Sequence, residues 1–250
     1  MDGYSILSGR VKRRRGFQSN KENNLKPLVS VLIPAKNSAK TLIRAVNSVI
    51  DQSYKNIEVI ISVNGSSDNT LEVAQSIEDK RVSVIESQEG IVPALNSCLK
   101  ASKGKYIARQ DADDEWLPEK LSKQIEILES SNINVLGTQM IVREETGEET
   151  ITRYPVEHSE CCNWLINGRN PIGHPSVVFC SSLMEKVGGY WELFPFAEDM
   201  DLWMRSIPHA NFKNIDIPLN IYNHVHNPKY NPSIPLFVRD FYSQIYRIKS

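Results

Sequence analysis

Hydrophobic residues along this chain fall into two alternating rhythms. After a polar stretch ending near Lys26, Val29 to Ile33 is a nearly unbroken apolar run stopped by Pro34, the pattern of a strand buried on both faces. Leu42, Val46, Val49 and Ile50 then recur at helical spacing. Ile57 to Val63 predicts a second buried strand, ended by Asn64-Gly65-Ser66-Ser67, and Asp68 can cap a helix whose inner face is Leu71, Ala74 and Ile77. Val82 to Ile85 predicts a third strand, and Leu95, Cys98 and Leu99 mark a helix closed by Gly104. Tyr106 to Ala108 begins a fourth strand, which delivers the chain to Asp111-Ala112-Asp113-Asp114.

Strand alternating with helix in this way predicts an α/β fold with a mostly parallel, doubly wound sheet. Ligands of such sheets bind beyond the carboxyl ends of the strands. The polar segments Pro34 to Asn37, Asn64 to Asp68 and Asp111 to Asp114 each follow a strand at that edge, so three loops converge on one crevice. Beyond them, Pro118 suits the first turn of a helix to about Ser130 with Leu121, Ile125 and Leu128 inward. Val135 to Val142 reads as a strand and Glu144 to Glu149 as a solvent-facing turn. The second half is less regular. It holds a short helix at Cys161 to Ile166, a strand at Ser176 to Phe179, an irregular Gly188-Gly189 segment, a helix beginning near Glu198, a strand at Leu219 to Val225 and a terminal amphipathic helix from Leu236 to Ile248.

Composition alters this picture in one place. The 250 residues are 40% hydrophobic and 24% charged, ordinary for a globular protein, and a net charge of -1 gives the body of the chain no reason to bind nucleic acid. Arg10, Lys12, Arg13, Arg14 and Arg15, however, form a basic run with no acid among them. It reads either as a solvated tail or as a tether to an anionic membrane surface. Cys98, Cys161, Cys162 and Cys180 lack zinc spacing and read as packed thiols. Without an apolar signal core or a run of the ~20 residues that span a bilayer, a cytoplasmic enzyme, peripheral at the inner membrane face if the tail binds there, is the expectation.

Asp111-Ala112-Asp113-Asp114 carries the sharpest chemical signal. Three carboxylates within four residues repel one another unless a cation, a basic partner or water screens them. Magnesium or manganese takes oxygen ligands, uses one or two protein carboxylates and fills its other positions with phosphate and water. A solvated acidic turn capping the next helix is the alternative.

Val31-Leu32-Ile33-Pro34-Ala35-Lys36-Asn37 resembles the opening strand of family 2 glycosyltransferases of the GT-A fold, and Tyr106 to Asp114 resembles their metal-binding segment. Asn170-Pro171-Ile172-Gly173-His174-Pro175-Ser176-Val177 and Ala197-Glu198-Asp199-Met200-Asp201-Leu202-Trp203 match two later blocks in the right order. The likeness extends from about Leu28 to about His226. It implies a GT-A, Rossmann-like central sheet flanked by helices, with a less regular acceptor-side half. It further implies an inverting transfer from a nucleotide diphosphate sugar to an acceptor hydroxyl, saccharide or lipid-linked, in surface polysaccharide or glycoconjugate synthesis. By position, Asp113 aligns with the aspartate that ligates Mn2+ or Mg2+ at the donor diphosphate, Asp111 with its partner at the ribose or metal water, and Asp199 with the catalytic base. Asp201, two residues on, is the alternative base. His226 is a candidate third metal or phosphate contact, His224 stands where the family often has arginine, and His174 would shape the acceptor side or simply pack. Pro34, Ala35, Asn37, Asn64 and Asp68 would contribute to the nucleotide side.

One departure concerns the base. Where the family usually carries two aspartates after the second strand, this chain has Val63 and Asn64. An asparagine oxygen can still accept from a ring N–H, so a UDP-sugar remains the favoured donor. Four segments result: a tail over 1–26, a nucleotide-sugar half over 27–130, an acceptor half over 131–232 and a terminal helix over 233–250. Competing readings are a nucleotidyltransferase, which would want a glycine-rich basic loop where Pro34-Ala35-Lys36-Asn37-Ser38 stands, and a non-catalytic nucleotide-sugar-binding module.

Overall fold

The structure, a computed structural model, describes residues 26–194, 196–224 and 233–246. The basic run over 10–15, His226 and the end of the expected terminal helix beyond Tyr246 therefore lie outside the described residues. In chain order the strands are β1 (Val29–Ala35), β2 (Ile57–Val63), β3 (Val82–Glu86), β4 (Tyr106–Arg109), β5 (Glu115–Trp116), β6 (Val135–Arg143), β7 (Glu149–Ile151), β8 (Val178–Cys180) and β9 (Phe212–Asn223). The helices are α1 (Leu42–Ile50), α2 (Thr70–Gln75), α3 (Ile91–Ala101), α4 (Lys120–Ser130), α5 (His158–Ile166), α6 (Ser181–Val187), α7 (Glu198–Ser206) and α8 (Ile234–Tyr246).

Among the described residues, all nine strands join one sheet in the order β3-β2-β1-β4-β8-β6-β9-β5, with β7 paired to β6. The first four are parallel, as the alternation of strand and helix predicts. β8 then enters antiparallel to both β4 and β6, so the sheet changes direction where its second half begins. β1 is buried at every position because β2 and β4 flank it and helices cover both faces. Its side chains divide by parity, as a pleated strand requires. Leu32 joins an apolar cluster with Leu95, Trp203 and Tyr242, whereas Val31 and Ile33 join a second cluster with Leu42, Val46 and Leu121.

Several elements escape the apolar pattern. β5 has only two residues and exists because Glu115 and Trp116 pair with Ile221 and Asn220 of β9. β9 begins at Phe212 rather than Leu219; the ladder to β6 shifts register beside Pro218, which has no N–H to donate and so sits at an irregularity. α6 was hidden by its brevity, and Gly188 ends it in the left-handed region at φ 78°. The turn expected at Glu144 to Glu149 is the β6–β7 hairpin, closed by hydrogen bonds between Glu144 and Glu148 and between Gly147 and Glu144.

Gly104 does not close α3, which ends at Ala101. Its smallness serves β1 instead. The Ser30 hydroxyl, buried in an apolar strand, donates to Glu58 at 2.5 Å and accepts from the Gly104 N–H at 2.8 Å. A Cβ on Gly104 would stand 2.6 Å from the Ser30 nitrogen and 2.7 Å from the Tyr106 carbonyl oxygen, both backbone. Gly104→Ala is therefore expected to cost about 1–3 kcal/mol of stability, the usual range for overpacking a rigid site. Chemical denaturation of the two proteins measures it, and an unchanged midpoint would show that β1 and β4 can separate at that point.

Candidate active site

The carboxyl ends of β1, β2 and β4 open into a cavity of about 1280 Å³. Pro34, Lys36 and Asn64 line its first side, and Asp111, Ala112 and Asp113 reach it from the loop after β4. The opposite side comes from the second half of the chain: Met140 and Val142 on β6, Tyr154, the Asn170-to-Pro175 segment, the first turn of α7 and Tyr222 at the end of β9. The register shifts in β6 immediately before Met140 are the kind of irregularity that re-aims side chains into a site.

Of the residues expected on the nucleotide side, Pro34, Asn64, Asp111 and Asp113 line the cavity, whereas Ala35, Asn37 and Asp68 stand behind it as braces. The Ala35 carbonyl accepts from the Asn64 N–H at 3.1 Å. Asn37, at φ 51°, accepts from the Ser67 N–H at 2.8 Å. Asp68 accepts from the Ala39 and Thr70 N–H groups at 3.2 and 3.1 Å, and the Thr70 hydroxyl bond is the main reason its carboxyl is held below the usual range. The loops after β1 and β2 are thus tied to each other. Asn64 donates its amide N–H to the Gly90 carbonyl at 2.9 Å, while its Oδ1, also buried, has no hydrogen-bond partner among the described residues.

The acidic loop is held by three residues, Arg109, Arg44 and Asn223. Arg109, 4% exposed, forms an ion pair with Asp111. Burial opposes the guanidinium charge, but the Asp111 carboxylate outweighs it and keeps Arg109 firmly protonated. The Asp113 carbonyl accepts from Arg44 at 2.8 Å and from the Asn223 amide at 2.7 Å, and Asp114 accepts from the Asn223 N–H at 2.8 Å. Burial, then the Asp111 charge, pushes Asp113 up to about 6, and the same two causes lift Asp114 well above the usual carboxylate range.

Across the cavity, Asp199 sits in the first turn of α7. Its Oδ2 accepts from the Asn170 amide at 2.6 Å and its Oδ1 from the Met200 N–H at 2.7 Å. Burial raises its proton affinity, and these bonds oppose the rise. Asp201 is placed differently. It is fully buried outside the cavity, bonded to Arg205 at 2.7 Å and to the Tyr242 hydroxyl at 2.5 Å. Glu198 also lines the cavity, with burial and the neighbouring Asp199 pushing it up to about 7. His174 both packs and lines the wall: Nε2 lies 2.9 Å from the Tyr190 hydroxyl, and burial together with Arg109 holds the ring neutral. His224 lines the cavity with Nδ1 2.8 Å from Glu144.

Sequence reasoning assigned no role to Arg109, Asn170, Glu198 or the cavity-lining Tyr154 and Tyr222. Arg109 had a readable signal, a cation closing an otherwise apolar strand directly before an acidic loop. Asn170 had none outside the resemblance, because its partner Asp199 is distant in sequence.

Residues 30–187 match the family described as Glycosyl transferase family 2. The putative glycosyltransferase EpsE of Bacillus subtilis is 32% identical over 190 residues, covering 73% of this chain and 67% of EpsE. WfaP of Escherichia coli, a UDP-Glc:alpha-D-GlcNAc-diphosphoundecaprenol beta-1,3-glucosyltransferase, is 30% identical over 181 residues, covering 71% of this chain and 69% of WfaP. An uncharacterized glycosyltransferase of Rickettsia prowazekii, RP339, is 32% identical over 204 residues, of which the chain spans 60% of the length. Among solved structures, S. aureus TarS 1-349 in complex with UDP-GlcNAc aligns with a TM-score of 0.70 at 18% identity, covering 86% of this chain and 65% of that one. Mannosyltransferase PcManGT from Pyrobaculum calidifontis, in complex with GDP-Man and Mn2+, aligns with a TM-score of 0.62 at 17% identity over 91% of this chain and 66% of that one. The fold is GT-A, with its central sheet flanked by helices. The chain belongs to glycosyl transferase family 2.

Burying Glu198 beside Asp199 has a consequence for stability. An acid whose folded pKa is raised stabilises the fold while protonated, and that contribution is lost as pH climbs from its ordinary 4.5 toward about 7. Glu198→Gln is therefore expected to raise the stability at pH 8 by about 1–3 kcal/mol, with the gain shrinking toward pH 5. Thermal melts at both pH values measure the difference. An equal gain at both would show that charge is not its source.

Proposed function

We propose that the chain transfers a sugar, with inversion, from a nucleoside diphosphate donor to an acceptor hydroxyl, with Asp199 as general base. The observation that carries this reading is that Asp113 and Asp199, from different halves of the chain, line one cavity. Its volume, about 1280 Å³, exceeds that of a usual single-ligand pocket and suits two substrates.

The acidic side fits a divalent cation. Asp113 and Asp111 offer hard carboxylate oxygens at the cavity wall, and burial, then the Asp111 charge, pushes Asp113 up to about 6, a rise that a nearby positive charge would oppose. Groups of three or more metal-ligating side chains are absent among the described residues, which accords with a cation that takes one or two protein carboxylates and otherwise phosphate and water. Asp113, with Asp111 beside it, would hold Mn2+ or Mg2+ there. The cation would supply charge neutralisation for the departing nucleoside diphosphate.

The protein's own groups supply the rest. Asn170 and the Met200 N–H each occupy one Asp199 oxygen, which fixes the carboxylate plane and leaves lone pairs for the proton of the acceptor hydroxyl. Loss of that proton during attack on the anomeric carbon makes the oxygen a better nucleophile, an effect typically of about 10² to 10⁴ in rate. Attack from the side opposite the leaving group inverts the centre. Asp201, already bonded to Arg205 and Tyr242, is poorly placed for that task.

The buried Asn64 oxygen, unpartnered among the described residues in a side chain that lines the cavity, supports a pyrimidine donor, since it is an acceptor that a ring N–H could satisfy. A UDP-sugar is the donor proposed. Two Escherichia coli relatives, WfaP and WfgD, are named as enzymes acting on a diphosphoundecaprenol-linked sugar, which supports a lipid-linked saccharide as acceptor.

Asp113→Ala is expected to abolish manganese-stimulated donor binding, measured by calorimetry with UDP-sugars. Asp199→Asn should bind donor like the parent yet lose about 10² to 10⁴ in transfer rate. Near-normal transfer by Asp199→Asn would move the base elsewhere, and release of pyrophosphate instead of nucleoside diphosphate would overturn the reaction class.

A further inference from the structure

Most of the large hydrophobic side chains exposed among the described residues belong to two adjoining segments, the loop before α7 and the helix α8. On α8, Val238 and Tyr242 turn into the core while Phe237, Phe241 and Ile245 recur every fourth residue on another stripe, 59%, 38% and 55% exposed. The loop adds Leu193 and Phe196, and its Phe194 ring packs against Phe241 at 5.4 Å. A helix whose second face is also apolar is not finished by the core it packs on.

Position and charge say what covers it. Phe196 and Pro235 line the cavity, on the side that carries Asp199, so the apolar surface runs to the acceptor end of the site. By sequence, residues 233–250 hold Arg239, Arg247 and Lys249 against one acid, Asp240, with which Arg239 pairs. The exposed Arg169, just beyond the tight contact of Gly168 with Leu236, offsets the exposed Glu192 of the loop, so the surroundings of the stripe keep a net positive charge. Apolar side chains that enter the acyl boundary, flanked by cations for anionic headgroups, are what an interfacial helix presents to a bilayer. Among the described residues no helix is long and apolar enough to cross one.

We propose that the outer stripe of α8, with the loop before α7, docks on an anionic lipid bilayer and so brings the acceptor end of the cavity to the membrane surface. The inference rests on the lipid-linked acceptor reading for its purpose, but not for its test.

The full chain is sedimented with phosphatidylcholine vesicles with or without phosphatidylglycerol, beside a variant carrying Phe237→Ser, Phe241→Ser and Ile245→Ser. The parent is expected to pellet with the anionic vesicles, and the variant to lose about tenfold in bound fraction with its basic N-terminal run intact. Light scattering should give one oligomeric state for both. Vesicle binding that is absent from the parent, or unchanged in the variant, overturns the proposal. A variant that changes oligomeric state also overturns it, by making the stripe a contact between copies. Should the triple variant fail to fold, brominated lipid decides: it is expected to quench the parent's fluorescence, less so in Trp191→Phe, and no quenching overturns the surface. Transfer assays separate the two readings. Parent protein that binds vesicles but glycosylates only soluble saccharides refutes the acceptor reading alone, and transfer to a lipid-linked acceptor in detergent without vesicle binding refutes the surface alone.

Discussion

The whole site depends on holding carboxylates close together against their mutual repulsion. Asp111, Asp113 and Asp114 follow one another in a single loop, and Glu198 and Asp199 face them across the cavity. The buried pair of Arg109 with Asp111 is the central restraint. Arg109 ends β4 and is buried there, so its charge stands directly beside the loop that follows. The remaining acids are less fully compensated: burial first, and then the charge of Asp111, raises the proton affinities of Asp113 and Asp114. The cavity is, in these terms, a region the fold keeps electrostatically unsatisfied, as functional sites often are.

Local braces make this arrangement durable. The loop after β1 is locked to the loop after β2 through Asn37 and Asp68, and the acidic loop is pinned to β9 through Asn223. Singly these bonds are modest, about 0.5–1.5 kcal/mol net between neutral groups and up to about 3 kcal/mol to a charged carboxylate. Their value is positional. They connect loops that begin at neighbouring parallel strands, so the spacing of the strands becomes the spacing of the cavity wall. On the other side, Asn170 performs the same service for Asp199.

The first half of the fold was legible in the chain because a parallel sheet leaves continuous apolar runs such as Val29 to Ile33, with helical periods between them. The acidic loop was legible for the same reason: its position follows from the strand that ends before it. β5 was not, because two residues carry no period and their pairing depends on β9, far along the chain. The start of β9 was masked by Pro218, a residue that argues against a central strand unless a register shift accommodates it. Asp68 and Asn37 illustrate a further limit. Sequence placed both in the right loops but could not distinguish a side chain that faces the cavity from one that fastens two loops behind it. Likewise, Asp199 and Asp201 differ by two residues in a helix, and only packing shows that the second is consumed by Arg205 and Tyr242.

The two halves of the sheet share one of its cores. Leu32 and Ile60 from the first half lie in the same apolar cluster as Trp203, Val238 and Tyr242 from the second. Separating the halves would expose that cluster to water, which the loss of apolar burial opposes. Any closing over the cavity therefore falls to rotamer changes and short rim segments, and the framework behaves as a stator rather than as a pair of jaws.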